Sequence, residues 1–218
     1  PGETLAIVGP TGSGKTTITK LITKFYEFNK GKILIDGMDL NEIKLNNIRN
    51  KVGIILQDVF LFADTIYNNI SLYNDDISLK DVKKAARELE IHDFISSLPK
   101  GYDFNVSERG STLSSGQRQL IAFLRVLVNN PDILILDEAT SSIDSYSEDL
   151  IKNATKKITK DKTSIIIAHR LSTIESADKI IYMENGKILE SGNHKQLLSI
   201  YNGKFKKLYE EQFIDELV

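Results

Sequence analysis

One short stretch near the start of the chain has the residue types of a phosphate-binding loop. Residues 9–16 read GPTGSGKT and match the pattern G-x-x-x-x-G-K-[ST], between an apolar run and a helical pattern. Glycines let successive backbone N–H groups turn inward and form a nest for an anion. Lys15 can place its ammonium on the β- and γ-phosphates, and the Thr16 hydroxyl can ligate Mg²⁺. The stretch predicts a site for a nucleoside triphosphate.

Two adjacent carboxylates, Asp137 and Glu138, follow the apolar run ILIL. Adjacent acids on a surface are usually only solvated charge, but a buried strand seldom ends in two carboxylates. In a P-loop NTPase the acid at this place holds Mg²⁺, often through water, which is the role we expect for Asp137. A carboxylate beside the γ-phosphate can accept a proton from the attacking water, which we expect of Glu138.

Two further polar residues stand where apolar runs end. His169 follows SIIIA and could hold the γ-phosphate and the attacking water. Gln57 follows KVGIIL and could contact Mg²⁺ or water, or could simply cap the strand end. The other histidines, His92 and His194, lie in helical or loop contexts, and we interpret both as structural.

The elements that must position these residues are four short apolar runs, TLAIV, KVGIIL, ILIL and SIIIA. They are rich in β-branched residues, do not alternate, and are separated by helical patterns, which is typical of a parallel sheet buried on both faces. Ligands of open α/β sheets bind beyond the carboxyl ends of the strands. We therefore predict an α/β P-loop NTPase core with a mostly parallel sheet, whose strand ends converge on one site.

A mostly helical lobe is predicted between the second and third runs. SLKDVKKAARELEIHDFISSLP is helical, with Ser78 as N-cap and Asp81 completing a capping box, and QRQLIAFLRVLVNNP is a second helix, ended by Pro131. The predicted core takes residues 1–62 and 132–218, and the lobe about residues 63–131. TTITKLITKFYEF is predicted as the helix after the phosphate loop, and KIIYMENGKILESG as a hairpin turning at Asn185-Gly186.

Composition limits the classes of function. The 218 residues are 41% apolar and 27% charged with a net charge of −2, which is typical of a globular domain and gives no basic block for nucleic acid. Cysteine is absent, which excludes disulfides and thiol catalysis. No stretch approaches the ~20 apolar residues of a membrane helix. The chain enters a strand almost at once, at PGETLAIVG, which suggests that it is cut from a longer one.

Taken together, the motifs resemble those of the nucleotide-binding domain of an ABC transporter, over nearly the whole chain. GPTGSGKTT resembles the Walker A loop, QDVFLFADTIYNNI the Q-loop, LSSGQRQ the signature, ILILDEAT Walker B with the catalytic Glu, SSID the D-loop, and IIIAHRLST the switch His. They occur in the family's order. A P-loop alone is shared by many NTPases, but a signature followed by ILILDEAT is specific to the ABC class.

The resemblance implies a single ABC ATPase domain that uses ATP and Mg²⁺. It assigns catalysis to Gln57, Glu138 and His169, and the metal to Thr16, Gln57 and Asp137. It assigns ATP binding to Gly9, Thr11, Gly12, Ser13, Gly14, Lys15, Thr16, Thr17, Ser114, Gly116, Gln117 and Asp144. In this family two domains stack head to tail, so that Ser114, Gly116 and Gln117 serve the neighbour's ATP. Asp144 of the D-loop lies at the same interface and couples the two sites.

Further features resemble exporters in particular. NVSERGSTLSSGQ places Glu108-Arg109 shortly before the signature, as in the loop that touches the membrane domain, and LFADTIYNNI is also exporter-like. The implied partners are a second nucleotide-binding domain and a transmembrane domain, without nucleic acid, at the cytoplasmic face of the cell membrane. Two departures stand out: Ser115 replaces the first Gly of L-S-G-G-Q, and the family's adenine-stacking aromatic residue would lie upstream of Pro1.

Three other functions share part of this chemistry. A soluble ABC-type ATPase of DNA repair or translation usually has a long coiled-coil insertion or tandem domains, and neither is in this sequence. A P-loop kinase would have no use for LSSGQ. A regulatory module that binds ATP without hydrolysis would not need Glu138. The expected function is ATP binding and hydrolysis that powers export.

Overall fold

The computed structural model describes residues 1–137, 145–168 and 171–216 and divides the chain into two units. The first unit takes Pro1–Val52, Asp132–Glu138 and Asp161–Val218, and the second takes Gly53–Pro131 and Ala139–Lys160. The lobe predicted at residues 63–131 falls within the second unit, which extends on both sides of it.

The strands form a six-stranded, mostly parallel sheet, as the apolar runs predict, and a separate two-stranded antiparallel sheet. In chain order the strands are β1 (Thr4–Val8), β2 (Leu34–Ile35), β3 (Met38–Asp39), β4 (Val52–Ile55), β5 (Ile133–Asp137), β6 (Thr163–Ile167), β7 (Lys179–Glu184) and β8 (Lys187–Gly192). The six-stranded sheet has the order β4-β5-β6-β1-β7-β8. β1 pairs in parallel with β6 and β7, and β5 with β6, whereas β8 is antiparallel to β7.

The register brings the carboxyl ends of three strands to one edge of the sheet. Ile7 of β1 is level with Ile167 of β6, and Ile167 is level with Asp137 of β5. The last three residues of β1 are buried, and so are the last four of β5, because helices cover both faces of such a sheet. The sequence pattern does not alternate for the same reason.

Ten helices are described. They are α1 (Lys15–Ile22), α2 (Leu45–Lys51), α3 (Ile66–Ser71), α4 (Leu79–Glu88), α5 (His92–Ser97), α6 (Ser115–Asn129), α7 (Ser145–Thr159), α8 (Leu171–Ser176), α9 (His194–Leu198) and α10 (Lys204–Glu216). The first unit contains α1, α2, α8, α9 and α10, and the second contains α3 to α7. Within the described ranges, none of these helices is both long enough and apolar enough to cross a bilayer.

Two predicted helices are shorter in the structure. α1 stops at Ile22, well before the end of TTITKLITKFYEF, because Lys24 adopts a left-handed conformation with φ 55°. The lobe's first predicted helix is divided into α4 and α5, because Glu90 has φ 63°. A left-handed residue ends an α-helix by turning the backbone away from the helix axis.

Two local predictions are confirmed in detail. The Ser78 hydroxyl accepts the backbone N–H of Asp81, and the Asp81 carboxylate accepts the backbone N–H of Ser78, which completes the capping box of α4. The hairpin between β7 and β8 turns at Asn185 and Gly186, which have φ 50° and 72°. Positive φ at both central residues is what a tight type I′ turn requires.

Replacing Ser78 with Ala should lower the free energy of unfolding of the second unit by about 1 kcal/mol, because the first turn of α4 loses its cap. Urea denaturation followed by circular dichroism measures this loss. Lys80→Ala, at an exposed position of the same turn, is the matched control and should stay within about 0.5 kcal/mol of wild type. Equal losses in the two variants would contradict the capping role.

Candidate functional site

The phosphate loop follows β1 and has a backbone that glycine makes possible. Gly9, Gly12 and Gly14 have φ values of 145°, 79° and 101°, a region that L side chains rarely adopt. Gly14 is the N-cap of α1 and has no side chain with which to cap it, so the first backbone N–H groups of the helix face no competing group from that residue. The start of α1 thus has the form of an anion site.

The Lys15 side chain lies inside this loop. It is 7% exposed, and its ammonium donates to the carbonyl oxygens of Gly9 at 2.7 Å and Pro10 at 3.0 Å. Burial lowers the pKa of Lys15, and the negative charge of Asp137 opposes that shift. The loop therefore encloses a positive charge that donates to neutral carbonyls, and a phosphate oxygen would be a stronger acceptor for it.

The Ser13 hydroxyl gives an independent test of whether the loop fits a phosphate. Ser13 is 2% exposed, and its Oγ is buried without a hydrogen-bond partner. Buried hydroxyls in folded proteins nearly always have a partner, and an orphan calls for an explanation. An anion seated in the loop would supply the missing acceptor, so the residues present fit a bound phosphate group.

The β7–β8 hairpin contacts the phosphate loop. The Gly186 N–H donates to the Ser13 carbonyl at 3.0 Å. A Cβ built on Gly9 would lie 2.0 Å from the Met183 carbonyl oxygen, which no side chain can occupy. Sequence reasoning did not predict this contact, because the hairpin and the loop are far apart in the chain.

The other predicted residues of the first unit lie at the end of β5 and along the phosphate loop. Asp137 is the last residue of β5 and is 9% exposed. Its negative charge is close enough to Lys15 to oppose part of the lowering of the Lys15 pKa. Of the predicted ATP-binding residues in the loop and the first turn of α1, Thr11, Gly12, Thr16 and Thr17 are exposed. The assignments to Glu138, Asp144 and His169 lie outside the described residues.

The signature motif begins helix α6 in the second unit. Ser114 is the N-cap: its Oγ accepts the Gln117 N–H at 3.2 Å, and its own N–H donates to Gln117 Oε1 at 3.0 Å. Gly116 is buried, whereas Ser114 and Ser115 are exposed. The cap uses only lone pairs of the Ser114 hydroxyl, so its O–H remains chemically suited to donate to an anion. The exposed position of Ser115 accommodates a side chain where the family has Gly.

A charged turn is attached to this helix by an arginine that sequence reasoning missed. Glu108–Gly110 forms a 3-10 turn with Glu108 and Arg109 exposed, and Arg109 has φ 55°. Arg118 of α6 donates through Nη1 to the Leu113 carbonyl at 2.7 Å and the Gly110 carbonyl at 3.4 Å. The contact has no local sequence signal, because the polar residues around Arg118 in the first turns of α6 give no indication of which backbone groups it meets.

Gln57 is the remaining predicted residue. It lies two residues beyond the end of β4, in an exposed segment of the second unit, rather than directly at the strand end. The strand is shorter than KVGIIL, because it stops at Ile55. An exposed amide in this position is available to a ligand, and its two alternative roles stay predictions.

Comparison with known proteins places these motifs in one family. A family model described as "ABC transporter" matches residues 1–141. A Bacillus subtilis protein named as a multidrug export ATP-binding/permease protein, YgaD, is 48% identical over 95% of the chain. A Staphylococcus aureus protein named in the same way, from strain NCTC 8325, is 46% identical over 97% of the chain.

A solved structure agrees with the sequence comparisons. A bacterial ABC exporter of the Atm1 family with ATP bound superposes with a TM-score of 0.88 and 43% identity, over 97% of this chain and 37% of the exporter chain. The present chain spans 36% of the length of the curated relatives it matches. A family match over residues 1–141 and relatives at close to half identity lead to one conclusion: the chain belongs to the ABC transporter family.

Proposed function

We propose that this chain binds ATP at its phosphate loop and hydrolyses it to power export, as one of two nucleotide-binding domains of a membrane transporter. The observation that carries the proposal is the enclosed Lys15 ammonium beside the orphaned Ser13 hydroxyl. Lys15 donates to neutral carbonyl oxygens and the buried Ser13 Oγ has no partner, and a triphosphate would provide charged acceptors for both. The ATP bound in the exporter of similar structure supports the same choice of ligand.

Magnesium would be held next to the triphosphate. Thr16 and Asp137 offer the hydroxyl and carboxylate oxygens that this hard cation prefers, with Gln57 as a third candidate. Among the described residues no group of three His, Cys, Asp or Glu side chains is placed to hold a metal by itself. Phosphate oxygens and water would therefore complete the coordination. Bound there, Mg²⁺ neutralises charge that develops on the phosphates.

Hydrolysis would then be general-base chemistry by the chain's own residues. The Glu138 carboxylate accepts a proton from water as the water oxygen bonds to the γ-phosphorus. The bond from that phosphorus to the β–γ bridging oxygen breaks, and ADP and phosphate are the products. His169 orients the water and the γ-phosphate, while Lys15 stays on the phosphate oxygens.

A second domain would complete each ATP site. Ser114, Gly116 and Gln117 would meet the γ-phosphate held by the neighbour's loop, and Asp144 would lie at the same interface. ATP then joins two surfaces, and loss of the γ-phosphate weakens the contact between them. The curated relatives are named as ATP-binding/permease proteins, which supports a transmembrane partner and a position at the cytoplasmic face of the membrane.

Lys15→Ala should weaken ATP binding by about 10- to 100-fold, because a hydrogen bond to a charged group is worth about 1.5–3 kcal/mol. Isothermal titration calorimetry at pH 7 measures the affinity. Lys20→Ala, in the last turn of the same helix, is the control and should bind ATP like wild type. Unchanged affinity in Lys15→Ala would contradict the assignment of the loop.

The pH dependence of ATP binding tests the same charge in the unaltered protein. Burial lowers the pKa of Lys15, so in the free loop the ammonium loses its proton at a lower pH than an ordinary lysine. ATP binding raises the pKa of Lys15, because the phosphates favour the charged ammonium. The affinity for ATP should therefore fall as pH rises through the lowered pKa of the free loop, and each ATP bound in that pH range should be accompanied by proton uptake. Calorimetry in buffers of different ionisation enthalpy measures the uptake, and proton release there would contradict the account.

Ser13→Ala should separate stability from binding. Removing an orphaned buried hydroxyl relieves a penalty of about 1–3 kcal/mol, so the free protein should melt at the same or a higher temperature than wild type. ATP affinity should fall, because the γ- or β-phosphate loses a donor. Thermal unfolding with and without ATP measures both, and a variant less stable without ATP yet equally stabilised by it would refute this role.

Glu138→Gln should reduce turnover by about 10²- to 10⁴-fold, since the amide cannot accept the proton. ATP-bound dimers should accumulate, because the γ-phosphate persists. Phosphate release and size-exclusion chromatography with light scattering give the two readouts. Glu42→Gln, an exposed carboxylate of the first unit, is the control. Normal turnover in Glu138→Gln would show that another group is the base.

A further inference from the structure

A buried amide side chain holds the segment that follows Gln57. Asn69 of α3 is fully buried, and its Oδ1 accepts the Phe62 N–H at 2.8 Å. Its Nδ2 donates to the carbonyl oxygens of Phe62 and Thr65, both at 3.0 Å. One buried side chain thus binds both backbone groups of Phe62, together with carbonyls further along the segment that leads into α3.

An arginine from α6 adds a second layer of contacts to this arrangement. Arg125 donates from Nε to the Asn69 carbonyl at 2.9 Å and from Nη2 to the Phe60 carbonyl at 3.4 Å. Arg125 is partly buried, and this burial lowers the pKa of its guanidinium. A buried charge is costly unless it is well hydrogen-bonded, so these two carbonyls are held in place by the charge they solvate.

Arg125 lies on the same helix as the signature. α6 begins directly after Ser114, and at 1.5 Å per residue Arg125 is about 15 Å along the helix axis from that end. A continuous α-helix transmits a displacement along its axis with little internal change. The contacts of Arg125 therefore connect the segment after Gln57 to the residues that begin the signature, all within the second unit.

We infer that Asn69 and Arg125 are positioning residues that make the Phe60–Phe62 segment and the signature helix move as one body. The inference rests on the proposed function, in which Gln57 serves the chain's own ATP and the signature serves the neighbour's. A shift of the segment on one side would move Ser114 and Gly116 on the other. Neither residue touches nucleotide in this scheme, and both act through the elements that they hold.

Hydrogen exchange tests the mechanical part in the full-length protein. Asn69→Ala removes the side chain's backbone contacts, and Arg125→Lys keeps the charge but cannot reach both carbonyls with one ammonium. Exchange of the Phe62 amide should accelerate about tenfold in each variant. Lys152→Ala, which truncates an exposed side chain of α7 in the same unit, is the control and should leave it unchanged. Unchanged exchange in Arg125→Lys would overturn the inference.

Steady-state ATPase kinetics of the full-length protein in lipid vesicles test the functional part. ATP binds at the loop of the first unit, so KM for ATP should stay within about twofold of wild type, while kcat falls about five- to tenfold. A merely structural role would instead lower the amount of active protein, which active-site titration with a tight-binding ATP analogue corrects for. Faster exchange with unchanged kcat would overturn the inference.

The two proposals fail in different ways. If wild type does not hydrolyse ATP, the proposed function is wrong, and the exchange measurement still decides whether Asn69 and Arg125 hold the segment. If wild type hydrolyses ATP and Arg125→Lys matches it in kcat, the proposed function stands and this inference is wrong. Arg125→Lys keeps its charge and most of its stem, so it remains a usable variant should Asn69→Ala fail to fold.

Discussion

The positive charge enclosed by the phosphate loop is the constraint on which the rest of the first unit depends. An ammonium that is 7% exposed must be solvated by the protein, and the carbonyls of Gly9 and Pro10 do this. Gly9 and Gly14 of the same loop adopt positive φ, and Gly9 has no room for a Cβ beside the Met183 carbonyl. The enclosed ammonium, the glycines of the loop and the contact with the hairpin thus depend on one another. A triphosphate fits this site because it offers charged acceptors to the ammonium and to the Ser13 hydroxyl.

The second unit presents its signature residues in a different way. The signature does not enclose a charge: it is the first turn of a helix whose cap is closed by its own Ser114 and Gln117. Its position is fixed by arginines further along α6, with Arg118 holding the turn that precedes the signature and Arg125 holding the segment after Gln57. Backbone carbonyls accept the hydrogen bonds of both guanidinium groups, so these contacts fix the position of the main chain rather than of side chains. In the proposed dimer, a γ-phosphate would therefore meet a turn whose backbone position is already set before ATP binds.

Much of this could be predicted from the sequence, because local rules decide it. The phosphate loop, the cap at Ser78 and the turn at Asn185-Gly186 each depend on residues within a few positions of one another. Non-alternating apolar runs likewise predict a buried parallel sheet, and the sheet order and register confirm it. The remaining features depend on partners that are distant in the chain. The contact of Gly186 with Ser13 and the bonds of Arg125 to Asn69 and Phe60 have no local signature. The left-handed Lys24 and Glu90, which shorten the predicted helices, are not glycine or asparagine, so tertiary packing selects conformations that propensity alone disfavours.

The central claim is that each ATP is held between the Lys15 loop of one domain and the Ser114–Gln117 turn of another. A structure of the full-length protein with a non-hydrolysable ATP analogue and Mg²⁺ measures this directly, as the distance from the Ser114 Oγ and the Gly116 N to the nearest γ-phosphate oxygen. The account predicts hydrogen-bond distances, about 2.7–3.2 Å, to the analogue bound by the neighbouring domain. A signature turn directed away from every bound nucleotide in that assembly would contradict it.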